Sequence, residues 1–303
     1  MDYYEYMVVY DDYRKLRYKV SEDVYDKVVE ARRNKAIVEI PVKTLDKVFW
    51  VNKIGIEDDL RVFLKLYDDI NQSLLKNNGR LVEALNSACI EVARTTYEDT
   101  LKIINGEAEI RNKSEKMVVN IYNVLNYMNK TEYKFITKES LMDVWEMIID
   151  GVCENSYLWE KGKYRTGDIH VVDSQGKIVH TGVPVNKLDD VMDEFMDNYN
   201  YIDPDKVFAL VKSFVLHYIF AYIHAFCDGN GRMARLLNNN YLIQAGWDKF
   251  RRLSISSAIN RQRTGYYRSI DFSNNSFGDT TFFVKFMLKS ISSLMYSIIT
   301  GGN

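Results

Sequence analysis

The 303-residue chain has 40 Lys and Arg against 42 Asp and Glu, a net charge of −2 that gives no general attraction to nucleic acid, so we expect no nucleic-acid partner. Its hydrophobic fraction of 47% predicts a substantial core. The sequence shows no leader-like pattern at its start and no run of about 18 apolar residues, so we expect no membrane partner. The three cysteines lack metal-type spacing, which favours reduced thiols in a cytoplasmic protein.

The first part of the chain differs from the rest. Short β-branched or aromatic runs at 7–10, 36–40 and 48–51 predict strands, with a helix between them at about 21–34. We interpret residues 1–56 as a small α+β extension. It could serve as a packing cap on the core or as a target-recognition module, and the sequence leaves both alternatives open.

From residue 57 to residue 303 the apolar spacing is mainly helical. One hairpin interrupts it, with strands predicted at 169–172 and 177–180 around a glycine-containing turn. We therefore predict a mainly α bundle of about ten helices with one functional hairpin. The clearest helices are expected at 60–70, 81–104, 117–128, 141–152, 206–223, 232–245 and 281–299.

The densest group of reactive side chains is the run His-Ala-Phe-Cys-Asp-Gly-Asn-Gly-Arg-Met-Ala-Arg at 224–235. It joins two predicted helices, so the turn at 228–231 leads into a helix N-terminus. The N–H groups of such a turn, together with the helix dipole, favour an anion. Arg232 and Arg235 share one helix face, and each guanidinium can donate paired hydrogen bonds to phosphate.

Two further side chains in this run suit phosphate chemistry. Asp228 is a hard oxygen ligand of the kind that binds Mg²⁺ between phosphates. His224, at the end of the preceding helix, titrates near neutral pH when unperturbed and can act as a general base.

This run resembles the signature of the Fic family, His-x-Phe-x-Asp/Glu-Gly-Asn-Gly-Arg-x-x-Arg, at every specified position. Many members have proline where this chain has Ala225. The hairpin is similar to the family's flap, a β-hairpin that clamps an extended target segment. The flap residues implied are Val179, His180, Thr181 and Gly182. The residues implied for the adenine and ribose pocket are Tyr266, Tyr267 and Asn274.

The resemblance implies transfer of AMP from ATP to a Ser, Thr or Tyr hydroxyl of a target protein, with Mg²⁺ as cofactor. His224 would take the hydroxyl proton and Asp228 would hold Mg²⁺ on the α- and β-phosphates. Arg235 would meet the γ-phosphate, and Phe226 would anchor the loop to the core. Phosphotransferase relatives often carry lysine near Gly231, so the intact glycine favours AMP transfer. The phosphate cradle implied is Gly229, Asn230, Gly231 and Arg232.

Some Fic proteins carry an inhibitory helix with the pattern Ser/Thr-x-x-x-Glu-Gly/Asn. Ser87 and Glu91 have this spacing on the helix predicted at 81–104, but Val92 departs from the pattern. Ser-x-x-x-Glu also occurs by chance in many helices. The resemblance implies that Glu91 pairs with Arg235 and keeps the γ-phosphate from its productive place.

Several functions remain open at this stage. Autoinhibited adenylyl transfer, including auto-adenylylation, is the leading hypothesis. In some relatives the inhibitory glutamate helps water to remove AMP, so a de-adenylylase is an alternative. A Fic-fold transferase with another phosphate donor and a non-catalytic interaction scaffold are the others. By analogy with relatives, we also expect that the chain can form a homodimer.

Overall fold

The computed structural model describes residues 13–75, 77–130, 135–172 and 176–302. In this part of the chain it contains thirteen helices and two small antiparallel sheets. The strand predicted at 7–10 lies outside the described residues. The helices are α1 (Tyr13–Lys19), α2 (Glu22–Arg33), α3 (Lys53–Asp69), α4 (Gly79–Ile90), α5 (Tyr97–Ile104), α6 (Lys113–Lys130), α7 (Lys138–Ile149), α8 (Leu188–Asn200), α9 (Lys206–Ile223), α10 (Asn230–Gln244), α11 (Ile255–Arg261), α12 (Arg263–Asn274) and α13 (Thr281–Ile299).

The first sheet pairs β1 (Ala36–Val42) with β2 (Lys47–Asn52), with Ile40 opposite Phe49. Alternate residues of β1 are buried, as expected for a strand with one face on a core. The Trp50 backbone also bonds to Gly278 and Thr280, which precede α13. The strand pair therefore shares the main core with the helices. The predicted division after residue 56 falls inside α3.

Helix α9 is the centre of the bundle. Residues 209–220 are all buried, since the helix is apolar around its whole circumference. It packs along α10, and α8 and α13 lie against it as well. By length and composition alone, α9 and α13 could cross a membrane, but 72% and 50% of their apolar windows are buried inside the fold. Core helices of soluble proteins meet the same criteria, so the observation is weak evidence for a membrane span.

The prediction of one continuous helix over 81–104 was wrong. Helix α4 ends at Ile90 and α5 begins at Tyr97, with the segment 91–96 between them. The chain turns at Val92, whose φ of 68° lies in the left-handed region. The side chain of Thr96 then caps α5 by accepting the Asp99 N–H at 3.1 Å.

The second sheet is the predicted hairpin, formed by β3 (His170–Val172) and β4 (Ile178–Thr181). Its turn at 173–175 is not among the described residues. Helix α10 begins at Asn230, two residues before the predicted start, because Gly229 adopts a φ of 80° and caps it. Asn230 and Gly231 therefore belong to the first helical turn.

Candidate active site

The loop between α9 and α10 is held in place by its own asparagine and by α7. Asn230 accepts the Phe226 N–H at 2.9 Å and donates to the Phe226 carbonyl at 2.8 Å. The Phe226 ring stacks on Trp145 of α7 with centroids 4.7 Å apart. The Trp145 indole also donates to the Asp228 carbonyl at 2.8 Å. Phe226 thus anchors the loop to the core, as predicted, and the Asn230 side chain is used in shaping the loop.

His224 caps the end of α9 with a φ of 55°. Its Nδ1 lies 3.2 Å from the Ala221 carbonyl, which accepts a hydrogen bond from the protonated Nδ1 and leaves Nε2 unprotonated. Burial, together with the neighbouring His180 and Arg165, lowers the pKa of His224 to about 4. The imidazole is therefore neutral at physiological pH, which is the state that a general base requires.

Arg165 links residues 224–229, the loop that we call the catalytic loop after its predicted role, to the flap. It is 2% exposed, and its guanidinium donates to the backbone carbonyls of His224, Gly167 and Val183. A Cβ added to Gly182 would lie 2.7 Å from Arg165 Nη2 and 3.2 Å from His224 Cβ. Because Gly182 has no side chain, β4 can approach the base this closely. From the sequence, Arg165 could be placed only in the stretch that resembles the flap, since nothing local indicates its two distant acceptors, the carbonyls of His224 and Val183.

Asp228 lies at the mouth of the turn. One carboxylate oxygen accepts from the Gly229 N–H and from Arg232 Nη2, the latter at 2.9 Å. The other oxygen accepts the Glu154 N–H at 3.2 Å. No group of three or more His, Cys, Asp or Glu side chains in the described part of the chain could hold a metal ion. The single carboxylate suits the usual binding of Mg²⁺, through one or two carboxylates together with substrate phosphates.

Arg232 and Arg235 carry buried donors that have no acceptor among the described residues. These are Nε and Nη1 of Arg232 and Nη1 of Arg235, on side chains that are 2% and 1% exposed. Buried guanidinium groups without acceptors are costly, and such groups in native proteins call for an explanation. An anion at the N-terminus of α10 would satisfy them, and phosphate oxygens match the forked geometry of arginine.

Glu91 and Arg235, the predicted inhibitory pair, are in direct contact. Arg235 Nη2 lies 2.8 Å from Glu91 Oε1, and Ser87 accepts from Arg235 through its hydroxyl at 2.9 Å and its carbonyl at 3.0 Å. A Cβ added to Gly231 would lie only 2.6 Å from Glu91 Oε1. The carboxylate therefore lies directly against the first turn of α10, where an anion would bind.

A cavity of about 300 Å³ lies beside these groups and is lined by Glu91, His224, Asp228 and Arg232 among others. One wall is the loop from Cys227 to Arg232 with His224, a second is Glu91 and Met117, and a third is Ile169, His170 and Val171 of the flap. The predicted flap residues Val179, His180, Thr181 and Gly182 do not line the cavity as the described residues define it. His180 lies behind His224, with ring centroids 6.5 Å apart.

The structure places the predicted adenine-pocket residues outside this cavity. Tyr266 is 2% exposed and its hydroxyl lies 3.0 Å from His217 Nε2. Tyr267 is 43% exposed, and its hydroxyl reaches the Ile90 carbonyl at 3.5 Å. Asn274 accepts from the Tyr218 hydroxyl at 2.7 Å. Of the three, Tyr267 has a side chain that is both accessible and next to the end of α4.

A glycine turn, two buried arginines and a neutral histidine beside a hairpin form a site whose donors suit a phosphate. Comparison with known proteins points to one family. Residues 135–242, which include the loop and the hairpin, match the model of the Fic/DOC family.

Curated relatives and solved structures are similar to this chain. A protein adenylyltransferase Fic of Nematostella vectensis is 27% identical over 211 residues, which cover 67% of this chain and 45% of that protein. One of Drosophila willistoni is 24% identical, over 85% of this chain and 49% of that protein. The chain therefore spans about half the length of the curated relatives it matches.

The solved structures share the fold. A Fic family protein from Desulfovibrio desulfuricans G20 superposes with a TM-score of 0.66 at 22% identity, over 82% of this chain and 74% of that one. Fic-1 of C. elegans, residues 134–508, gives 0.67 at 17% identity, over 95% and 80%. Both similarities support the predicted Fic-type helical bundle.

Proposed function

We propose that this chain is an autoinhibited protein adenylyltransferase, which transfers AMP from ATP to a Ser, Thr or Tyr hydroxyl of a target protein. The observation that carries the proposal is the set of buried, acceptor-free donors on Arg232 and Arg235, on the helix that follows the loop of the neutral His224. Curated relatives named protein adenylyltransferase support it.

In this proposal each residue has a defined task. The N–H groups at the start of α10 and the Arg232 guanidinium hold the phosphates, so that charge developing on them meets donors already in place. His224 Nε2 accepts the proton of the attacking hydroxyl, while the Ala221 carbonyl and Arg165 hold the ring and its backbone in position. The residues of β3 that line the cavity would hold the target segment.

Mg²⁺ would bind at Asp228, where it would neutralise charge on the α- and β-phosphates. Asp228 now accepts from Arg232, so the proposal requires this carboxylate to exchange a guanidinium for a cation. Because Arg232 has two other donors without acceptors, it can turn toward phosphate when that exchange occurs.

The Glu91–Arg235 contact would act as a brake in the absence of a signal. Arg235 is the cation that we assign to a terminal phosphate, and its Nη2 donates to Glu91 Oε1 instead. A charge-assisted hydrogen bond of this kind contributes about 2 kcal/mol, which corresponds to roughly 30-fold in an equilibrium constant. We therefore expect removal of Glu91 to raise transfer by about that factor.

The test measures the incorporation of AMP from ATP labelled at the α-phosphate, with cell lysate as the source of targets. The variants are Glu91→Gly and Glu91→Gly with His224→Ala. Glu109→Gly serves as the matched control, because Glu109 is exposed in the loop between α5 and α6. We expect strong labelling only in the single variant Glu91→Gly. Glu109→Gly should be labelled no more than the native protein.

Two results would contradict the proposal. Labelling that survives His224→Ala would remove the histidine from the role of base. An absence of labelling in Glu91→Gly, with ATP binding intact by calorimetry, would exclude AMP transfer as the activity and favour another phosphate donor.

A further inference from the structure

Two of the three cysteines meet next to the cavity, and one of them, Cys227, lines it. The Sγ atoms of Cys153 and Cys227 lie 3.7 Å apart, although the residues are 74 positions apart in the sequence. Cys227 belongs to the catalytic loop, immediately before Asp228. Cys153 lies in the segment 150–155 that follows α7. Both are free thiols in the structure.

The surroundings of this pair show that the two segments are already joined by polar contacts. The Asn155 amide donates to the Cys227 carbonyl at 3.2 Å, and the Glu154 N–H donates to the Asp228 carboxylate at 3.2 Å. Val152, Glu154, Asn155 and Cys227 line the cavity. Cys153 does not line it but is partly exposed, so a small oxidant can reach its sulfur atom. The pair is therefore both preorganised and accessible.

We propose that Cys153 and Cys227 form a reversible disulfide that locks the catalytic loop to the segment 150–155. A disulfide requires a sulfur–sulfur distance of about 2.05 Å, so the sulfur atoms must approach by roughly 1.6 Å from their present separation. Segment 150–155 has no regular structure, and Gly151 adopts a φ of 67°, so this side can move. Cys227 is fixed between Phe226, stacked on Trp145, and Asp228.

The oxidant in this proposal is a peroxide. The half-buried Cys153 reacts first: its thiolate attacks one peroxide oxygen, the O–O bond breaks, and a sulfenic acid and water form. The Cys227 sulfur then attacks the sulfenic sulfur, the S–O bond breaks, and a second water leaves with the thiol proton. The two thiols lose two electrons and the peroxide gains them. Cys227 is only 2% exposed, so it is shielded from the peroxide and takes part in the second step, after Cys153 has been oxidised.

The consequence follows from the position of Asp228. Drawing segment 150–155 toward Cys227 displaces the Glu154 N–H that holds the Asp228 carboxylate, at the point where phosphates and Mg²⁺ would bind. A misplacement of about 1 Å at a reacting centre can reduce rate by about a hundredfold. We expect the oxidised protein to bind ATP at least about tenfold more weakly and to lose transfer. This regulatory part rests on the proposed function, whereas formation of the disulfide does not.

The experiment treats the full chain with hydrogen peroxide and maps its peptides without reduction. The expected result is a cross-linked peptide pair carrying Cys153 and Cys227, lighter by two hydrogen atoms and resolved by dithiothreitol. Cys153→Ser and Cys227→Ser should each abolish it. Cys89→Ser is the matched control, because Cys89 lies on α4 and should leave the cross-link unchanged. Oxidation that stops at sulfinic acid, or a pairing that involves Cys89, would overturn the proposal.

A second readout separates this proposal from the proposed function. ATP binding is measured by calorimetry before and after oxidation, and AMP transfer is measured in Glu91→Gly and in Glu91→Gly with Cys153→Ser. We expect oxidation to weaken both in the first variant and neither in the second. A cross-link that leaves ATP affinity unchanged would refute the locking role. An absence of transfer in the reduced protein would refute adenylyl transfer, while the peptide map and calorimetry still decide the disulfide.

Discussion

Replacing Val92 with glycine should stabilise the protein, although it removes a side chain. Helix α4 ends with a pair of backbone bonds, from the Val92 N–H to the Cys89 carbonyl at 3.0 Å and from the Ala93 N–H to the Ala88 carbonyl at 3.1 Å. This is the Schellman arrangement, in which the residue after the C-cap is left-handed and is usually glycine or asparagine. The departure of Val92 from the inhibitory pattern therefore places a β-branched residue at the position that suits it least.

The size of the effect follows from two opposing terms. A left-handed conformation costs a residue with a Cβ about 1–2 kcal/mol, and glycine avoids this cost. Glycine in turn loses more backbone freedom on folding, by roughly 0.5–1 kcal/mol. Val92 is 59% exposed, so little apolar contact is lost. We expect Val92→Gly to raise the free energy of unfolding by about 0.5–1 kcal/mol, as the difference between these terms.

The assay is urea denaturation, in which the midpoint of Val92→Gly is compared at an unchanged m-value with that of the control variant Val62→Gly. Val62 is 53% exposed and lies inside α3, where its backbone is helical. Glycine should destabilise this site by about 0.5 kcal/mol, because only the entropic term and helix propensity act there. Val92→Ala should give no gain, since alanine keeps the Cβ. Equal destabilisation by Val92→Gly and Val62→Gly would refute the reasoning that the turn after Glu91 stores strain.

Two more predictions concern the catalytic loop. Gly231→Ala should destabilise the native protein more than it destabilises the Glu91→Gly variant, because the new Cβ would lie 2.6 Å from Glu91 Oε1; a double-mutant cycle should show a coupling of roughly 1 kcal/mol, and additive effects would contradict the close approach. The acid limb of kcat/KM in Glu91→Gly should lie at or below the lowered pKa of His224, about 4 in the native protein, rather than near 6.5, because the variant lacks the Glu91 carboxylate that raises this pKa. Since the neutral ring is the base, activity is present above this pKa and is lost as the pH falls through it; a half-loss near 6.5 would exclude the buried His224 as the base.

The sequence predicted most reliably the elements whose residues carry their own signals. The bounds of α9 and α13 were predicted as 206–223 and 281–299, and the structure gives the same bounds. Both helices are strongly apolar, and α9 ends at a left-handed His224 that a glycine-rich turn follows. The catalytic loop could be predicted for the same reason, because each residue type in it has a chemical task that its neighbours in sequence support.

The features that could not be predicted from the sequence depend on contacts between residues that are distant along the chain. Arg165 reaches the His224 carbonyl across 59 positions, and Trp145 reaches the Asp228 carbonyl across 83. Neither partner is visible in a local pattern. The break between α4 and α5 was missed because valine gives no signal for the end of a helix, while the backbone of Val92 adopts the left-handed conformation typical of glycine. The turn at Val92 is explained by the tertiary contact that Glu91 makes with Arg235.

The geometry of Gly231 indicates how the brake would be released. The space left by its absent side chain is what allows Glu91 Oε1 to lie against the first turn of α10 and to reach Arg235. A carboxylate oxygen and a phosphate oxygen are both anionic acceptors, and the donors of Arg235 cannot satisfy both in the same direction. In the proposed function, Glu91 and the terminal phosphate would therefore compete for one position. Since Glu91 is 32% exposed and is attached after the end of α4, it can leave without unfolding the helix. A signal that moves the segment 91–96 would be sufficient to free the arginine.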